Sequence, residues 1–326
     1  MRVISAPQEF TVPDLYVDLR RFVGRDLFVK CEGFNFAGSI KLKAALEIVE
    51  RAERDGQLRP GATIVESSSG NIGVALAMVA ASRGYRFICV TDDHCTLSAR
   101  QLMQNYGAEV HVLTEPHPVE GLVGARQRMV ESLCTEHEDY VWLDQHTNPG
   151  NWTAHYRTTG PEILRMFPGL DVLFVGTGTA GTLMGCARYL REARRSIRVV
   201  AVDSVGSVSF GGPPGPRQIP GLGSAIRPAL LDESLVDDVV HVEETETVEM
   251  CRTLVRHGFL FGGSTGTVVA GALSWLARED RDLTAVAISP DLGDHYLDTV
   301  YRDHWAADAL GRVPEQTTDR LSEVPR

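Results

Sequence analysis

Two short stretches, Gly38-Ser39-Ile40-Lys41 and Ser67-Ser68-Ser69-Gly70-Asn71, decide how this sequence is interpreted. The first places Lys41 at the start of an amphipathic helix predicted over residues 41–54. The second follows a short apolar strand predicted over residues 62–66 and opens the next helix. Serine hydroxyls and the free N–H groups of a helix N-terminus can receive an anion. The chain therefore combines an amine and an anion site, each at the start of a helix.

An amine and an anion site together are typical of an enzyme that holds an aldehyde cofactor and an amino acid. A lysine can form a Schiff base with pyridoxal 5′-phosphate (PLP). The serine loop suits the carboxylate of an amino-acid substrate. Neither stretch alone would support this interpretation, but the two together predict PLP as the cofactor.

The bulk composition narrows the class of protein without naming a function. The 326 residues indicate about two domains, at roughly 150 residues per domain. A net charge of −11 argues against nucleic acid or an anionic membrane as the main partner. No apolar run approaches the ~20 residues that span a bilayer, and the N-terminus lacks the apolar stretch of a signal peptide. The six cysteines form no C-x-x-C pair, so no disulfide framework or metal site is expected. We expect a reduced, cytoplasmic protein.

The coarse organisation is an alternation of strands and helices. Strands are predicted over residues 26–31, 62–66, 85–91, 109–113, 172–175, 199–203, 239–242 and 285–288. Helices are predicted over residues 41–54, 72–83, 98–106, 162–166, 182–193, 246–257 and 267–277. Residues 144–151 and 206–223 are predicted to be loops. This rhythm predicts an α/β fold of two doubly wound, mostly parallel domains, with the ligand site in the cleft between them.

One motif supports a different cofactor. Gly176-Thr177-Gly178-Thr179-Ala180-Gly181 matches the G-x-G-x-x-G dinucleotide pattern, and Asp203 ends the following strand. An NAD-dependent oxidoreductase is therefore an alternative. The hydroxyls of Thr177, Thr179 and Thr182 suit the three oxygens of a phosphate monoester better than a pyrophosphate. The dinucleotide interpretation also leaves Lys41 and the serine loop without a task, so PLP is preferred.

With these motifs in order, the chain resembles the fold-type II PLP enzymes of the cysteine synthase and cystathionine β-synthase group over nearly its whole length. The resemblance implies that Lys41 is the Schiff-base lysine and that Asn71 lies beside the 3′-oxygen of PLP. Ser264, in Gly262-Gly263-Ser264-Thr265-Gly266, would face the pyridine nitrogen as a neutral partner. The residues implied as the phosphate cup are Gly176, Thr177, Gly178, Thr179, Gly181 and Thr182.

The same resemblance implies a substrate site. The residues expected to bind the substrate are Ser67, Ser68, Ser69, Gly70, Gln145, His146 and Gly221. Arg126 and Arg227 are candidates for a substrate phosphate, although each also suits an ordinary surface arginine. The late segment Pro290-Asp291-Leu292-Gly293-Asp294 fits a further motif of the group.

Within the group, the chain resembles the N-(2-amino-2-carboxyethyl)-L-glutamate synthases. The residues that suggest this include Asn151-Trp152 with His155-Tyr156 and the closing segment from Gly293 to Asp298. The implied reaction joins O-phospho-L-serine to L-glutamate and releases phosphate, a step to 2,3-diaminopropionate for siderophores or peptide antibiotics. Lys41 would be the base for the α-proton. A homodimer is implied as well.

The resemblance also implies a domain division and leaves one alternative activity. Residues 1–37 with 151–310 would form the larger domain holding the PLP phosphate, residues 38–150 a smaller mobile domain, and residues 311–326 a polar tail. A cysteine synthase, using sulfide as second substrate, is the alternative. Ile72 and His146 weigh against it, because cysteine synthases usually have a threonine and an aromatic residue there. Lys43 departs from the common Asp-Arg pair after the lysine and is expected to be structural.

Overall fold

A computed structural model of the chain describes residues 3–68, 70–118, 121–194 and 196–311. The strands are β1 (Tyr16–Asp18), β2 (Leu27–Cys31), β3 (Thr63–Ser67), β4 (Arg86–Asp92), β5 (Glu109–Leu113), β6 (Tyr140–Trp142), β7 (Val172–Gly176), β8 (Arg198–Ser204), β9 (Asp238–Val242) and β10 (Ala285–Ser289). The helices are α1 (Arg20–Val23), α2 (Lys41–Arg54), α3 (Asn71–Arg83), α4 (Leu97–Asn105), α5 (Gly121–Glu136), α6 (Gly150–Arg157), α7 (Thr159–Met166), α8 (Gly181–Ala193), α9 (Glu244–Arg256), α10 (Gly263–Leu276) and α11 (Asp303–Leu310).

The strands form two sheets. One has six strands in the order β1-β2-β10-β7-β8-β9, and the other has four in the order β5-β4-β3-β6. The β1–β2 pair is antiparallel, and the remaining pairs are parallel. Parallel strands need crossover helices, and these cover both faces of each sheet. The predicted α/β fold with two mostly parallel sheets is confirmed.

Each sheet has its own apolar core. The smaller sheet is packed against α2, α3 and α4 through residues such as Ile48, Leu76 and Met103. The larger sheet is covered on one face by α10 and on the other by α8. Its central strands β7, β8 and β10 are almost entirely buried, as expected for strands covered on both faces. No helix among the described residues is long and apolar enough to cross a membrane.

The predicted elements lie where the apolar pattern placed them, with shifts of a few residues at their ends. The bounds of α2 and β5 match the prediction without a shift. Six elements were not predicted: β1, β6, α1, α5, α6 and α11. Helix α6 begins at Gly150, so the prediction of a loop through residue 151 was wrong at its end. Residues 205–232 contain no helix or strand, in agreement with the predicted long loop.

The residue ranges that form the two sheets can be compared with the predicted domain division. The four-stranded sheet is built from residues 63–142, inside the segment 38–150 assigned to the smaller domain. The six-stranded sheet uses residues 16–31 and 172–289. The division itself, and the mobility of the smaller part, stay predictions. The predicted tail from residue 312 onward lies outside the described residues.

Candidate active site

A cavity of about 540 Å³ opens between the two sheets. The predicted site residues that line it are Lys41, Ser67, Ser68, Gly70, Asn71, Arg126, Gln145, His146, Gly176, Gly178, Thr179, Gly181, Thr182, Gly221, Arg227 and Ser264. Thr177 is fully buried beside the cavity rather than lining it. Ser69 lies outside the described residues. Residues from seven separate parts of the sequence therefore converge on one space.

Helices α2, α3, α8 and α10 have their N-termini at this cavity. In none of these four does the side chain of the N-cap residue cap the helix, although Ser68 Oγ accepts from the N–H of Gly73 in the first turn of α3. The positive ends of the four helix dipoles therefore point to the space that a ligand would occupy. Several anionic groups, such as a phosphate and a carboxylate, are the ligands that such an arrangement favours.

Lys41 is the amine in the cavity wall. It begins α2, and it forms no hydrogen bond or ion pair with any of the described residues. Burial lowers the pKa of Lys41 below its ordinary value, and the nearby Asp291 carboxylate opposes that shift. A buried amine with a lowered pKa is a better nucleophile and base near neutral pH than an exposed lysine.

The glycine-threonine loop between β7 and α8 forms a narrow cradle. A Cβ atom on Gly178 would lie 2.7 Å from the carbonyl oxygen of Gly221, so only glycine leaves room there. Ala180 has a φ of 65°, which turns the chain into α8. Asn151 Nδ2 donates to Thr179 Oγ1 at 2.9 Å, and Thr182 Oγ1 lies 3.2 Å from His155 Nε2. Helix α6 thus holds the hydroxyls of the cradle from behind.

His155 connects this cradle to a buried cluster of four charges, Lys30, Glu32, Lys43 and Glu162. The His155 ring lies 3.1 Å from Thr159 Oγ1, which accepts a hydrogen bond from Lys43 Nζ at 3.2 Å. Lys43 Nζ also lies 2.9 Å from both carboxylates, and Lys30 is paired with both as well. Burial and Lys43 lower the pKa of His155 to about 3, so the ring is neutral. Lys43 is thus engaged in a structural ion cluster, as expected.

The serine loop and the Gln145 loop are joined to each other. Ser68 Oγ accepts hydrogen bonds from the N–H groups of Gly70 and Gly73, both at 3.0 Å, which shapes the turn into α3. Gln145 Nε2 donates to the carbonyl oxygen of Ser67 at 3.0 Å. The hydroxyl of Ser67 has no partner among the described residues. This pairing gives the predicted carboxylate site two walls fixed relative to each other.

Glu66, at the end of β3, fixes that pair of loops from the interior. Its fully buried carboxylate accepts from the N–H of Ser67 at 2.9 Å, the N–H of Gln145 at 3.3 Å and Trp142 Nε1 at 3.2 Å. Burial raises the pKa of Glu66 to about 8, against the opposing effect of these hydrogen bonds. The sequence signal for this residue was a lone acid within an otherwise apolar strand.

The two arginine candidates differ in their surroundings. Arg126 is only 5% exposed and lies 3.1 Å from Asp92 across an ion pair, so it is not a surface arginine. Its Nη1 atom makes this ion pair without the geometry of a hydrogen bond, and its Nε atom has no hydrogen-bond partner among the described residues. Arg227 lies at the rim, half exposed, and is paired with Glu233 at 2.5 Å. His146 lines the cavity with Arg126, and burial lowers the pKa of the imidazole, which is therefore uncharged near neutral pH.

The remaining predicted cofactor contacts are Asn71 and Ser264. Asn71 opens α3 and donates from Nδ2 to Asp291 at 2.9 Å. Ser264 is buried in the first turn of α10 with its side chain on the cavity. Asp203, the acid that a dinucleotide site would need, is fully buried and absent from the cavity lining. The amine, the cradle and the uncapped helix starts suit a phosphorylated aldehyde, so the residues present fit PLP.

Comparisons with known proteins agree with this geometry. Residues 14–291 match a family model described as pyridoxal-phosphate dependent enzyme. The chain is 41% identical over 292 residues to an N-(2-amino-2-carboxyethyl)-L-glutamate synthase of Ralstonia nicotianae, covering 88% of this chain and 86% of the relative. It is 39% identical over 304 residues to the same-named protein of Cupriavidus metallidurans, covering 91% and 89%.

Solved structures show the same fold. An O-ureido-L-serine synthase is 34% identical with a TM-score of 0.85, covering 99% of this chain and 98% of that one. An O-acetylserine-dependent cystathionine β-synthase of Helicobacter pylori is 28% identical with a TM-score of 0.83, covering 93% and 100%. The fold, the cavity and the family match lead to one conclusion: the chain belongs to the family of pyridoxal-phosphate dependent enzymes.

Proposed function

We propose that this enzyme replaces the phosphate of O-phospho-L-serine with the amine of L-glutamate, giving N-(2-amino-2-carboxyethyl)-L-glutamate. The Cβ–O bond to phosphate breaks and a bond from Cβ to the glutamate nitrogen forms, with no net oxidation. The names of the two relatives near 40% identity support this reaction. The product would be a precursor of 2,3-diaminopropionate in siderophore or antibiotic formation.

The cofactor would be held by residues already placed around the cavity. Lys41 would bind it covalently through Nζ, and the loop from Gly176 to Thr182 would receive its phosphate at the start of α8. Asn71 would contact the 3′-oxygen, and Ser264 would face the ring nitrogen. When bound, PLP withdraws electrons from the substrate α-carbon, which allows the α-proton and the β-substituent to leave.

Two protein groups would carry the proton and the anions. Lys41 Nζ would take the α-proton and later return it, because its lowered pKa leaves a share of the amine uncharged. The walls formed by Ser67, Ser68, Gly70 and Gln145 would bind the substrate carboxylate. His146 and Gly221 would border it, and the loop that carries Gly221 would close over the substrate.

The observation that carries the choice of a phosphorylated substrate is Arg126. Arg126 is a buried guanidinium in the same cavity as Lys41, and its Nε has no hydrogen-bond partner among the described residues. Its one ion pair, to Asp92, leaves donors for a second anion. An arginine binds phosphate through charge-assisted hydrogen bonds that an acetyl ester cannot match. Arg227 is the weaker candidate, because it is half exposed at the rim and is paired there with Glu233.

The test is phosphate release from O-phospho-L-serine by the PLP-loaded protein, with product identified by mass. L-glutamate, L-aspartate and sulfide are supplied in parallel. Glutamate-dependent release with the N–C-linked adduct would support the proposal. Release with sulfide alone would make the enzyme a cysteine synthase, and release with neither would overturn the phosphoserine assignment.

We also propose that the enzyme is a cytoplasmic homodimer and that residues 38–150 form a smaller, mobile domain in each subunit. Sedimentation of the holoenzyme tests the dimer. Small-angle scattering with and without O-phospho-L-serine tests whether the smaller domain moves, because closure of the cleft would reduce the radius of gyration. An unchanged radius at saturating substrate would contradict the mobile-domain proposal.

A further inference from the structure

Two polar side chains of α6 contact the cradle from behind, and the proposed function gives them no role. Asn151 and His155 lie four residues apart on one face of the helix, and both are buried without lining the cavity. That face is packed tightly on α8. A Cβ atom on Gly181 would overlap the Asn151 amide, and one on Gly185 would lie 2.5 Å from His155 Cβ. The two side chains are therefore held against the first turns of α8.

The amide of Asn151 has a fixed orientation. Its Nδ2 atom donates to the carbonyl oxygen of Gln145 at 2.7 Å and to Thr179 Oγ1 at 2.9 Å. A carbonyl oxygen can only accept, so the amide atom facing Gln145 must be the nitrogen, and both of its protons are used. Thr179 Oγ1 accepts one of them, and no described residue accepts the proton of Thr179 itself. That proton is left for the cavity, which Thr179 lines.

The tautomer of His155 follows from its neighbours. Thr159 Oγ1 lies 3.1 Å from His155 Nδ1 and accepts a hydrogen bond from Lys43 Nζ at 3.2 Å. An ammonium group cannot accept, so Thr159 donates its single proton to Nδ1. Burial and Lys43 lower the pKa of His155 to about 3, and the neutral ring then has its proton on Nε2. Nε2 therefore donates to Thr182 Oγ1, which lies 3.2 Å away.

Lys43 fixes this arrangement from the buried ion cluster. Its ammonium group has three protons, and it donates to Glu32 at 2.9 Å, to Glu162 at 2.9 Å and to Thr159 at 3.2 Å. Thr159 is consequently held as an acceptor toward Lys43 and as a donor toward His155. The direction of each hydrogen bond is thus set from the ion cluster to the hydroxyl of Thr182.

We infer that Asn151 and His155 are positioning residues that turn the hydroxyl protons of Thr179 and Thr182 toward the phosphate of the cofactor. The inference rests on the proposed placement of that phosphate in the cradle. Each hydroxyl accepts one hydrogen bond from α6 and keeps its own proton for the cavity. Two such donors suit a group whose oxygens only accept, as those of an ionised phosphate ester do. Without the two α6 side chains, each hydroxyl could turn its proton away from the phosphate.

The first test identifies the tautomer of His155. Nitrogen NMR of the holoenzyme with isotope-labelled histidine distinguishes a protonated ring nitrogen from an unprotonated one, and the spectrum of His155→Gln assigns the signal. We expect the proton on Nε2 and none on Nδ1. A proton on Nδ1 would make Thr182 the donor to the ring and would overturn the inference for His155.

The second test compares the affinities of the apoprotein for PLP and for pyridoxal, which lacks the phosphate. His155→Leu should weaken PLP binding roughly tenfold and leave pyridoxal binding nearly unchanged, because one oriented donor to the phosphate is lost. His155→Gln should restore most of the affinity, since its amide can donate from a position close to that of Nε2. Thr153→Val is the matched control, because this hydroxyl of α6 is bonded to the carbonyl oxygen of Pro149. Equal weakening of both ligands by His155→Leu would overturn the inference.

Double-mutant cycles separate positioning from a general effect on the fold. If His155 acts through Thr182, His155→Leu should add little to the loss of PLP affinity caused by Thr182→Val. Asn151→Leu and Thr179→Val form the parallel cycle. Fully additive losses in both cycles would overturn the inference while leaving the phosphate in the cradle.

Two further variants complete the design. Thr159→Val removes the donor to Nδ1 without touching the cradle, so it keeps the inference testable if His155→Leu does not fold. We expect it to weaken PLP binding roughly threefold, with pyridoxal unchanged. If Thr179→Val and Thr182→Val together weaken PLP no more than pyridoxal, the placement of the phosphate is contradicted, and the inference with it. No amino-acid substrate is present, so these outcomes are distinct from a failure of the proposed reaction.

Discussion

Lys41 and Lys43 lie two residues apart on α2 and face different surroundings. Lys43 is bonded to Glu32, Glu162 and Thr159, whereas Lys41 has no hydrogen bond or ion pair with any described residue. Burial lowers the pKa of Lys41, with only the more distant Asp291 opposing it. An amine that is paired with carboxylates, such as Lys43, holds parts of the fold together. An amine that is buried without them is free to react.

The contrast between charges with and without counter-ions recurs among the carboxylates of the ion cluster and those near the cavity. In the buried ion cluster, burial tends to raise the pKa of Glu32, but Lys43 and Lys30 more than offset it and lower the value. Behind the cavity wall, burial raises the pKa of Glu66 to about 8, and none of the described residues forms an ion pair with it. Lys41 and Glu66 lack the counter-ions that the ion cluster supplies to its members.

The strongest test of the contrast is Lys41→Ala. We expect loss of at least roughly a thousandfold in product formation, because the residue is proposed both to hold the cofactor and to move the α-proton. The visible absorption of the lysine-bound cofactor should also disappear. Near-wild-type product formation by this variant would remove Lys41 from the mechanism.

Lys43→Met tests the other side of the contrast. Removing this cation leaves Glu32 and Glu162 with Lys30 as their remaining partner, so we expect a loss of about 2–3 kcal/mol in the free energy of unfolding. The folded variant should keep the visible absorption of the lysine-bound cofactor. Urea unfolding followed by circular dichroism measures the first effect. Wild-type stability combined with loss of the absorption would invert the roles assigned to the two lysines.

The sequence predicted the elements but not the contacts that distinguish these lysines. The apolar period placed Lys41 at the start of α2, and the glycine-rich segments located the cradle. The partners of Lys43 could not be derived in this way, because Glu162 is 119 residues away in the chain. Asp291 and Asn71, 220 residues apart, present the same difficulty. Local patterns predict helices and strands, whereas the charges that pair across the fold depend on the packing of distant elements.

Arg126→Ala compares an arginine buried in the cavity with one that is exposed at its rim. We expect the apparent Michaelis constant for O-phospho-L-serine to rise roughly 10- to 100-fold, because charge-assisted hydrogen bonds to the phosphate are lost. The apparent Michaelis constant for O-acetyl-L-serine should change little. Arg227→Ala is the matched control, because Glu233 already pairs with that guanidinium. Equal effects of Arg126→Ala on both substrates would show that the residue shapes the cavity without binding the phosphate.

The smallest effect concerns Glu66 and the dependence of stability on pH. The folded protein retains a proton on Glu66 up to about pH 8, whereas an unfolded glutamate loses it near its ordinary pKa of 4.5. Between these values the folded state binds more protons, so the contribution of Glu66 to stability falls as pH rises. Glu66→Gln removes that penalty. We expect the variant to gain at least ~1 kcal/mol relative to wild type between pH 5 and pH 8.

Urea unfolding at both pH values measures this difference, and Glu131→Gln, an exposed acid on α5, is the control. The amide of Glu66→Gln also disturbs the hydrogen bonds to Ser67 and Gln145, and this effect on stability is the same at both pH values. The informative quantity is therefore the change, from pH 5 to pH 8, in the difference in unfolding free energy between variant and wild type. A pH-independent difference would show that Glu66 is ionised throughout, held so by its three N–H donors. Glu66 would then be a satisfied charge like those of the ion cluster, and the contrast would rest on Lys41 alone.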